Sequence, residues 1–584
     1  MSLKFENINI LQSYYRKIKE YLKQDFLIVG GVIRDLLLDI AWEITDIDVT
    51  LKGEPSQIYS KIGKKGISIF KTDKFGTITL VFKKQKLKVE ITPLREEGQY
   101  LDFRHPNQIQ RTDDIISDSQ RRDFTINALY YTPLEVEEIK TKLQQTNLSL
   151  ESFLNHLKKT VPLVFAKAKV IVISWSENIA KIWKNWFVDA PTLTKLLAKN
   201  WVLVGDLKEL GSDWKRNWDI NKTWNLILDP QNWLVDLVNK KLRAVGDPDK
   251  RFQEDALRII RGARFINILN QKLKFKANKD AISSASPPLD FDRDKKTRRS
   301  AQKHFYLVEK VAKERINQEM KRVFEADNPF GFVVMLDKLN LLKFLFPALW
   351  QTKNVDQPVV YHPFDVYEHS ILTLYHLQQI NKKLIVKLAM LYHDVGKPDQ
   401  YRYASIARSD EEKKAMHGSP VHHPIRGAEL AKRDFEALGF GRKEIEEITF
   451  YIKMHMEPWN LIKGKPQTVK KKLQDWLDEF GLQKVLNLLD ITIADRLGQY
   501  NPIQDSEVQV LKNLKKLARQ IIKQRGRFTL KDLAINGNDI IKELNVPQWP
   551  KIGDLLKKAY DRVRENPKER NVKEKILEWL KEEA

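Results

Sequence analysis

The chain has 584 residues, more than one hydrophobic core usually supports, so we expect several domains. Its 101 Lys and Arg outnumber 77 Asp and Glu, and the formal charge of +24 predicts a polyanionic partner, either nucleic acid or an anionic membrane surface. The absence of cysteine excludes disulfides, thiolate zinc sites and cysteine nucleophiles. No apolar stretch is long enough to span a membrane and the start lacks a signal-peptide pattern, so we expect a cytoplasmic protein.

The first part of the chain, to about residue 131, alternates helical and strand-like patterns. An amphipathic helix is predicted at Leu11–Leu22 and a buried strand at Phe26–Val29. A glycine turn then leads into a helix at Val32–Leu38. Further strands are predicted at Ile47–Leu51, Ile78–Phe82 and Leu87–Ile91. This order predicts an α/β sheet covered by helices.

The glycine turn has the composition of a phosphate-binding segment. Gly30 and Gly31, between a strand and a helix, let backbone N–H groups approach a phosphate closely, and the helix N-terminus adds a favourable dipole. Arg34 lies one turn into that helix and can reach the same phosphates.

Two carboxylates follow on the next strand. Asp46 and Asp48 are two residues apart, so both face the same side of a strand and can share a hard cation such as Mg²⁺. Phosphoryl transfer uses such metal ions to activate an attacking hydroxyl and to stabilise the leaving pyrophosphate. Glu90 is a candidate third carboxylate, although a charged residue at a sheet edge explains it equally simply.

An arginine-rich segment lies before the end of this part. Arg121 and Arg122 suit the oxygens of a triphosphate, and Asp123 can accept a hydrogen bond from a ribose hydroxyl. Asn127 belongs to the same segment. A run of this kind is also typical of a solvated surface.

A further acid–arginine pair is predicted to lie on one helix. Asp255 and Arg258 are three residues apart, hence neighbours on one helical face, and the helix continues through Arg261 and Arg264. A carboxylate beside a guanidinium can read the amino donor and ring acceptor that cytosine and adenine share, and rejects uracil and guanine. A surface salt bridge is the alternative.

These motifs carry a specific resemblance. In chain order they are GGVIRD, DIDVT, RRDFTINAL, GDPDKRFQEDALRIIRGARF and ERINQEM. Over about 1–133 and 225–350 the chain resembles the class II CCA-adding tRNA nucleotidyltransferases and the bacterial poly(A) polymerases. The resemblance implies a polymerase-β-like head, metal binding by Asp46 and Asp48, ribose selection around Arg121–Asp123, and base selection by Asp255 and Arg258. It also implies CTP, ATP and tRNA as substrates.

From about residue 245 onward the patterns are almost wholly helical. We predict a nucleotidyltransferase head over 1–240, a helical neck and body over 241–350, a third domain over 355–500 and a basic helical tail over 505–584. Within the head, 134–224 reads as an insertion, because it holds seven of the 14 Trp and separates segments that the resembling family joins directly. This insertion is either a packing unit or a surface that stacks RNA bases or docks a partner.

Eight of the 11 histidines lie between 362 and 455, and they indicate a metal site. Imidazole and carboxylate groups from several helices can form an octahedral or two-metal site that activates water. The region 355–500 resembles the HD-domain phosphohydrolases, which implies a divalent transition metal or Mg²⁺ and a phosphatase or 2′,3′-cyclic phosphodiesterase activity. The ligands implied by that resemblance are His369, His393, Asp394, His423, His455 and Asp495, with His422 a competitor for His423. A decayed HD fold that serves as a tRNA-facing scaffold is the alternative.

We therefore expect a tRNA nucleotidyltransferase that adds CCA from CTP and ATP with Mg²⁺, and that carries a second, hydrolytic domain. Addition of poly(A), of CC alone or of A alone is an alternative within the same class. An HD hydrolase whose head only grips RNA is the alternative of another class, and a noncatalytic RNA-binding protein is a third. The sequence leaves the oligomeric state open.

Overall fold

A computed structural model describes residues 4–41, 43–63, 66–72, 76–98, 109–112, 114–134, 163–165, 170–174, 224–229, 234–280, 292–326, 328–357, 364–399, 422–499, 504–546 and 549–583. The chain forms two compact units, Met1–Ala312 and Lys313–Ala584. The first unit is an α/β structure, and the second is built from helices in its described residues. This is the predicted fold class of an α/β head followed by helical domains. No helix within the described residues is long and apolar enough to cross a membrane.

Among the described residues, the strands all lie in the first unit. In chain order they are β1 (Leu27–Val29), β2 (Asp46–Leu51), β3 (Ser68–Thr72), β4 (Thr77–Phe82), β5 (Leu87–Pro93), β6 (Arg95–Glu97), β7 (Ile109–Arg111), β8 (Tyr130–Leu134), β9 (Leu163–Phe165), β10 (Val170–Ser174), β11 (Trp224–Asp229), β12 (Lys241–Leu242) and β13 (Asp292–Arg293). Nine of these strands form one sheet in the order β3-β4-β5-β2-β1-β8-β11-β10-β9. The strands predicted at Phe26–Val29, Ile47–Leu51, Ile78–Phe82 and Leu87–Ile91 are confirmed as β1, β2, β4 and β5.

The helices of the first unit cover this sheet and extend beyond it. They are α1 (Ile10–Leu22), α2 (Gly31–Leu37), α3 (Pro55–Lys61), α4 (Ile115–Gln120), α5 (Leu234–Val238), α6 (Pro248–Glu254), α7 (Leu257–Asp280) and α8 (Lys295–His304). Short 3-10 helices lie at Phe5–Asn9, Lys83–Gln85, Thr125–Asn127 and Phe305–Lys310. Helix α1 buries Leu11, Tyr15, Ile18 and Leu22, the helical spacing from which it was predicted.

Alternation along β2 and β5 decides where the polar groups lie. Ile47 and Val49 on β2 are buried, whereas the intervening acidic residues face the other side of the sheet. Strand β2 pairs in parallel with β5 and antiparallel with β1. The end of β1, the start of β2 and the middle of β5 are therefore adjacent in the sheet.

Part of the predicted insertion extends the sheet. Strand β10 pairs in parallel with β11 and antiparallel with β9, and β11 pairs with β8. The insertion therefore adds strands to the head, so the prediction of a self-contained packing unit is wrong for these segments. The tryptophans at 175–218, on which the RNA-stacking alternative depends, lie outside the described residues.

The second unit contains a helical bundle that holds the histidines. Its helices are α9 (Lys313–Glu325), α10 (Pro329–Lys338), α11 (Leu342–Leu345), α12 (Pro347–Trp350), α13 (Val366–Ile380), α14 (Leu384–Leu391), α15 (His422–Ala437), α16 (Arg442–Met454), α17 (Glu457–Ile462), α18 (Pro466–Phe480), α19 (Leu482–Leu497), α20 (Gln504–Arg525), α21 (Gly537–Leu544), α22 (Trp549–Val563), α23 (Pro567–Arg570) and α24 (Lys573–Glu583), with a 3-10 turn at Leu530–Asp532. Helix α13 packs against α14 and α19, and α16 packs against α14 and α15.

Two apolar cores follow towards the end of the chain. Helix α20 buries residues such as Leu511 against α18 and α19. A separate core begins at Phe528 and gathers α21, α22 and α24 around Ile540 and Leu580. The chain therefore passes from the first of these cores to the second between Arg525 and Phe528.

Candidate functional site

The glycine turn between β1 and α2 has a conformation that only glycine adopts without strain. Gly30 has φ +88°, and a Cβ at this position would lie 3.2 Å from Oδ2 of Asp48. The N–H of Gly30 donates to the carbonyl oxygen of Leu129 at 3.2 Å. Gly30 thus shapes the turn and lets it approach Asp48 closely, while its own N–H is already bonded to the sheet.

The sheet brings the three predicted acidic residues of the head to neighbouring positions. Asp46 and Asp48 are exposed on the same face of β2, and Asp48 is directly opposite Glu90 in the β2–β5 register. Glu90 forms an ion pair with Lys88. Among the described residues, these carboxylates do not belong to a group of three or more whose oxygens lie within 4.8 Å of one another. The role of Glu90 as a third ligand therefore stays a prediction.

The two carboxylates on β2 disfavour each other's ionisation. The surrounding protein removes water from Asp48 and raises its pKa to about 6, and repulsion from Asp46 adds to this rise, while Arg122 acts in the opposite direction. Two adjacent carboxylates that are costly to ionise together are a donor set that suits a divalent cation, because the cation removes the repulsion. The residues present therefore fit the predicted Mg²⁺ position.

The two predicted triphosphate-binding arginines share one buried carboxylate. Asp118 on α4 is fully buried and pairs with Arg121 at 2.7 Å and with Arg122 at 3.1 Å. Tyr130 donates its hydroxyl to Asp118 at 2.8 Å. Burial opposes the ionisation of Asp118, but the guanidinium groups outweigh it and lower its pKa to about 2. The sequence prediction missed Asp118, although an acid three and four residues before two arginines on a helix is a signal for this contact.

Asp123, the predicted ribose-binding residue, already accepts hydrogen bonds from two side chains. Arg261 on α7 donates to its Oδ2 at 2.6 and 2.9 Å, and Asn127 donates to its Oδ1 at 3.2 Å. Burial opposes ionisation, but Arg261 prevails and lowers the pKa of Asp123 to about 2. Asn127 also accepts from Arg34, so the segment is bonded to the helix that follows the glycine turn.

The predicted single helix through Asp255 and Arg258 is wrong. Helix α6 ends at Glu254, Asp255 is extended with φ −150°, and α7 begins at Leu257. Oδ1 of Asp255 accepts from the N–H of Leu257 at 3.2 Å, which is the way an acidic residue caps a helix start and explains the break.

Arg258 forms its ion pair with Glu254. Its Nη1 donates to Oε2 of Glu254 at 2.9 Å, and its Nη2 donates to the carbonyl oxygen of Arg121 at 3.2 Å. The guanidinium is buried and therefore fixed between α6 and the arginine-rich segment. Glu254 is a residue that the sequence prediction did not assign to the site.

Three guanidinium groups surround the ring of Phe265 on α7. Arg264, Arg261 and Arg34 lie 4.3, 5.5 and 5.7 Å from its centroid. Phe265 packs edge-on against Phe124 at 5.9 Å. The predicted residue Arg264 thus belongs to the packing between α7 and the head.

In the second unit, the structure brings together all six predicted histidine and aspartate residues. They form two buried groups, one of His369, His393 and Asp495 and the other of Asp394, His423 and His455, and within each group the ligand atoms lie within 4.8 Å of one another. The groups adjoin at Asp394, whose Oδ2 is 3.2 Å from Nε2 of His393 and whose Oδ1 is 3.3 Å from Nε2 of His423. His423 is a member of the cluster, and the side chain of its competitor His422 lies outside what the structure describes.

Backbone carbonyls fix the orientation of three of these imidazoles. Nδ1 of His393 is 2.8 Å from the carbonyl oxygen of Met390, and Nδ1 of His455 is 2.7 Å from that of Ile452. Nδ1 of His369 is 3.3 Å from the carbonyl oxygen of Gly498. A carbonyl can only accept, so Nδ1 carries a proton and Nε2 faces the cluster. With Nδ1 held in this way, Nε2 is the nitrogen that can bind either a second proton or a metal ion.

The imidazoles of the cluster differ in their affinity for a proton. Burial lowers the pKa of His455 to about 3, and repulsion from His393 and His423 adds to the effect. Burial opposes protonation of His393 too, but the carboxylates of Asp394 and Asp495 prevail and raise its pKa to about 9. One positive charge is thus favoured at the junction of the two groups.

Basic residues keep the two carboxylates ionised. Burial opposes ionisation of Asp394, but His393 and Lys397, whose Nζ is 2.6 Å from Oδ2, hold its pKa well below the usual range. Arg496, at 3.2 Å, acts in the same way on Asp495. Lys397 was not assigned to the site from the sequence, although its place three residues after Asp394 is a local signal.

The turn after His393 and Asp394 packs directly on the first turn of α15. A Cβ on Gly396 would lie 2.1 Å from the carbonyl oxygen of His423 and 2.7 Å from the N–H of Gly427. Only glycine fits this contact, which brings Asp394 and His423 together. Carboxylate oxygens and imidazole Nε2 atoms that converge in a buried volume fit divalent cations.

Comparison with known proteins identifies three domains in order. Residues 26–142 match the poly A polymerase head domain, 290–353 match the probable RNA and SrmB-binding site of polymerase A, and 366–498 match the HD domain.

Individual relatives match the chain over different shares of its length. The CCA-adding enzyme of Staphylococcus haemolyticus is 23% identical over 95% of this chain and 93% of its own length. The CCA-adding enzyme of Lactobacillus helveticus is 24% identical over 50% of this chain, and the match spans 45% of that relative's length. The crystal structure of the Bacillus stearothermophilus CCA-adding enzyme in complex with CTP is 17% identical, with a TM-score of 0.48 over 99% of this chain and 97% of the other.

Proposed function

Because the chain belongs to the family of CCA-adding tRNA nucleotidyltransferases and poly(A) polymerases, we propose that it adds CCA to the 3′ end of tRNA from CTP and ATP. The observation that carries the proposal is the contact between the Gly30 turn and Asp48, with Asp46 beside it on β2. A phosphate bound at this glycine turn would lie beside two carboxylates that suit Mg²⁺.

Asp46 and Asp48 would hold the metal. Once bound, Mg²⁺ lowers the pKa of the attacking 3′ hydroxyl and neutralises the leaving pyrophosphate. The contribution of the protein would be position and charge: Arg34, Arg121 and Arg122 would bind the triphosphate, and Asp123 would accept from the ribose. Arg258, which Glu254 holds in one orientation, would read the base together with Asp255.

Incorporation of labelled nucleotides tests the proposal. Purified protein is incubated with tRNA that lacks its terminus and with CTP, ATP, UTP or GTP singly and in pairs. We expect CMP addition from CTP alone and completion with AMP when both nucleotides are present. Absence of any incorporation by the wild type would overturn the proposal. The same assay separates the alternatives, because poly(A) polymerase extends with ATP alone, and CC- or A-adding enzymes stop after their own nucleotides.

The HD domain supports a second activity, a metal-dependent hydrolysis of phosphate esters. The observation that favours it is the pair of adjoining histidine–aspartate groups around Asp394. Both Mg²⁺ and a transition metal suit these ligands, and the imidazoles favour the transition metal. A divalent metal there supplies an activated water, while Lys397 and Arg496 balance the charge of the two carboxylates.

Hydrolysis of a 2′,3′-cyclic nucleotide with Ni²⁺, Mn²⁺ or Mg²⁺ tests this second activity. We expect turnover by the wild type and its loss in His393→Ala, with CMP incorporation retained in that variant. Turnover that is unchanged in His393→Ala would contradict the assignment. Hydrolysis without any nucleotide incorporation would favour the alternative in which the head only grips RNA. We infer tRNA as the nucleic-acid partner and the cytoplasm as the place where the chain meets it.

A further inference from the structure

A network of polar contacts connects helix α7 with the helix that follows the glycine turn at two points along α7. Asp35 follows Arg34 on α2, and its two carboxylate oxygens accept from different residues. Oδ1 accepts from Nε of Arg34 at 2.7 Å, and Oδ2 accepts from Nζ of Lys272 on α7 at 2.7 Å. Nη1 of Arg34 donates to Oδ1 of Asn127, and Nδ2 of Asn127 donates to Oδ1 of Asp123. Arg261 on α7 completes the network by its two hydrogen bonds to Asp123.

The residues that α7 contributes lie on one face of that helix. Arg258, Arg261, Phe265 and Lys272 are separated by three, four and seven residues, a spacing that keeps them in one stripe. Arg258 marks the end of the stripe where the base is proposed to be read. Lys272 marks the end that faces α2. A single helix thus holds the base-reading side chain and the glycine turn at a fixed separation.

The ion pair of Lys272 with Asp35 is partly shielded from water. The side chain of Asp35 is 14% exposed and that of Lys272 is 34% exposed, so water screens the attraction only in part. Arg34, whose side chain is 8% exposed, has few other orientations once Asp35 is fixed. Removal of the Lys272 charge frees one oxygen of Asp35 and loosens the guanidinium that Asp35 orients.

We propose that Lys272 is a positioning residue for nucleotide transfer, which acts through Asp35 and Arg34 to hold the glycine turn in register with the base-reading end of α7. The inference rests on the proposed nucleotidyltransferase function. Lys272 does not touch the nucleotide. Its effect is on the geometry in which the triphosphate is held relative to Asp46 and Asp48.

Steady-state CMP incorporation with varied CTP and varied tRNA tests this role. Lys272→Met keeps the apolar stem and removes the charge, and Lys272→Arg keeps the charge. Lys19→Met is the matched control, because Lys19 pairs with Asp25 at 3.1 Å elsewhere in the same unit and its side chain is 35% exposed. We expect Lys272→Met to lower kcat/KM for CTP about tenfold, with KM for tRNA unchanged, and Lys272→Arg to recover most of the loss. Lys19→Met should resemble the wild type.

A double-mutant cycle with Asp35→Asn shows whether Lys272 acts through Asp35. We expect Lys272→Met to cause no further loss in the Asp35→Asn background, since the oxygen that it binds has already lost its charge. Fully additive losses, or a Lys272→Met variant that matches the Lys19→Met control, would overturn the inference while the proposed function stands. A wild type that incorporates no nucleotide overturns the proposed function and this inference with it. Should Lys272→Met fail to fold, Lys272→Gln takes its place under the same criteria.

Discussion

His369 and His393 direct their Nε2 atoms at each other across 3.3 Å in the interior of the helical unit. Because their Nδ1 atoms face backbone carbonyls, two lone pairs meet at this point unless a proton or a metal ion lies between them. We expect the purified protein to bind divalent transition metal, and His369→Ala to lower its affinity by at least about tenfold. Metal analysis after dialysis checks this, and equal metal content in wild type and variant would contradict it.

The adjacent histidines at the start of α15 provide a matched pair. Nε2 of His423 lies 3.4 Å from Nε2 of His455 and 3.3 Å from Oδ1 of Asp394. His423→Ala should therefore lower bound metal and 2′,3′-cyclic nucleotide hydrolysis, and His422→Ala should leave both near the wild-type level. Metal content and turnover, measured on the same preparations, check this prediction. Loss of metal and turnover in His422→Ala but not in His423→Ala would show that the ligand has been misassigned.

Close packing at Gly396 should not tolerate even one added methyl group. The new Cβ would lie 2.1 Å from the carbonyl oxygen of His423, so Gly396→Ala forces the turn away from α15. We expect a loss of about 1–3 kcal/mol in the free energy of unfolding of the metal-free protein, together with weaker metal binding. Gly553→Ala is the control, since a Cβ there meets nothing within 4 Å and alanine favours the helix. Denaturant unfolding of both variants measures the difference.

The carboxylate of Asp48 should lower the stability of the metal-free folded protein at neutral pH. Its pKa rises from 3.8 to about 6 on folding, so the folded protein binds more protons in this window and loses stability as pH rises from 3.8 to about 6. Asp48→Asn removes the charge, and we expect a higher Tm than the wild type in chelator at pH 8, with little difference at pH 4. Nucleotide incorporation should fall at least about a hundredfold. A lower Tm for Asp48→Asn at pH 8 would contradict this account.

The carboxylate of Asp118, in contrast, should stabilise the folded protein at neutral pH. Its pKa is lowered to about 2, so its contribution to stability is present above about pH 4 and is lost as pH falls towards 2. Asp118→Asn leaves Arg121 and Arg122 without their shared carboxylate, and we expect a loss of about 3–5 kcal/mol at pH 7. Asp114→Asn, which keeps a side chain able to cap α4, is the control in urea unfolding. An equal effect of both variants would argue against the shared ion pair.

Local sequence patterns determined which side chains each element presents. Alternation along β2 sufficed to place Asp46 and Asp48 on one face, because the side-chain period of a strand is two. The paired glycines predicted the turn at Gly30, and the clustered histidines predicted the HD ligands. Each of these features depends on spacing within a few residues or on a family pattern, and both are readable in the chain.

Only the tertiary structure decided which charged side chains far apart in the chain are partners. Arg258 donates to the carbonyl oxygen of Arg121, which lies 137 positions earlier. Asp35 meets Lys272 across 237 positions, a contact set by how α7 packs on the head. Charged side chains are long and have many acceptable partners, so sequence spacing does not select among partners that are distant in the chain. The packing of buried elements, which fixes the backbone first, makes that choice.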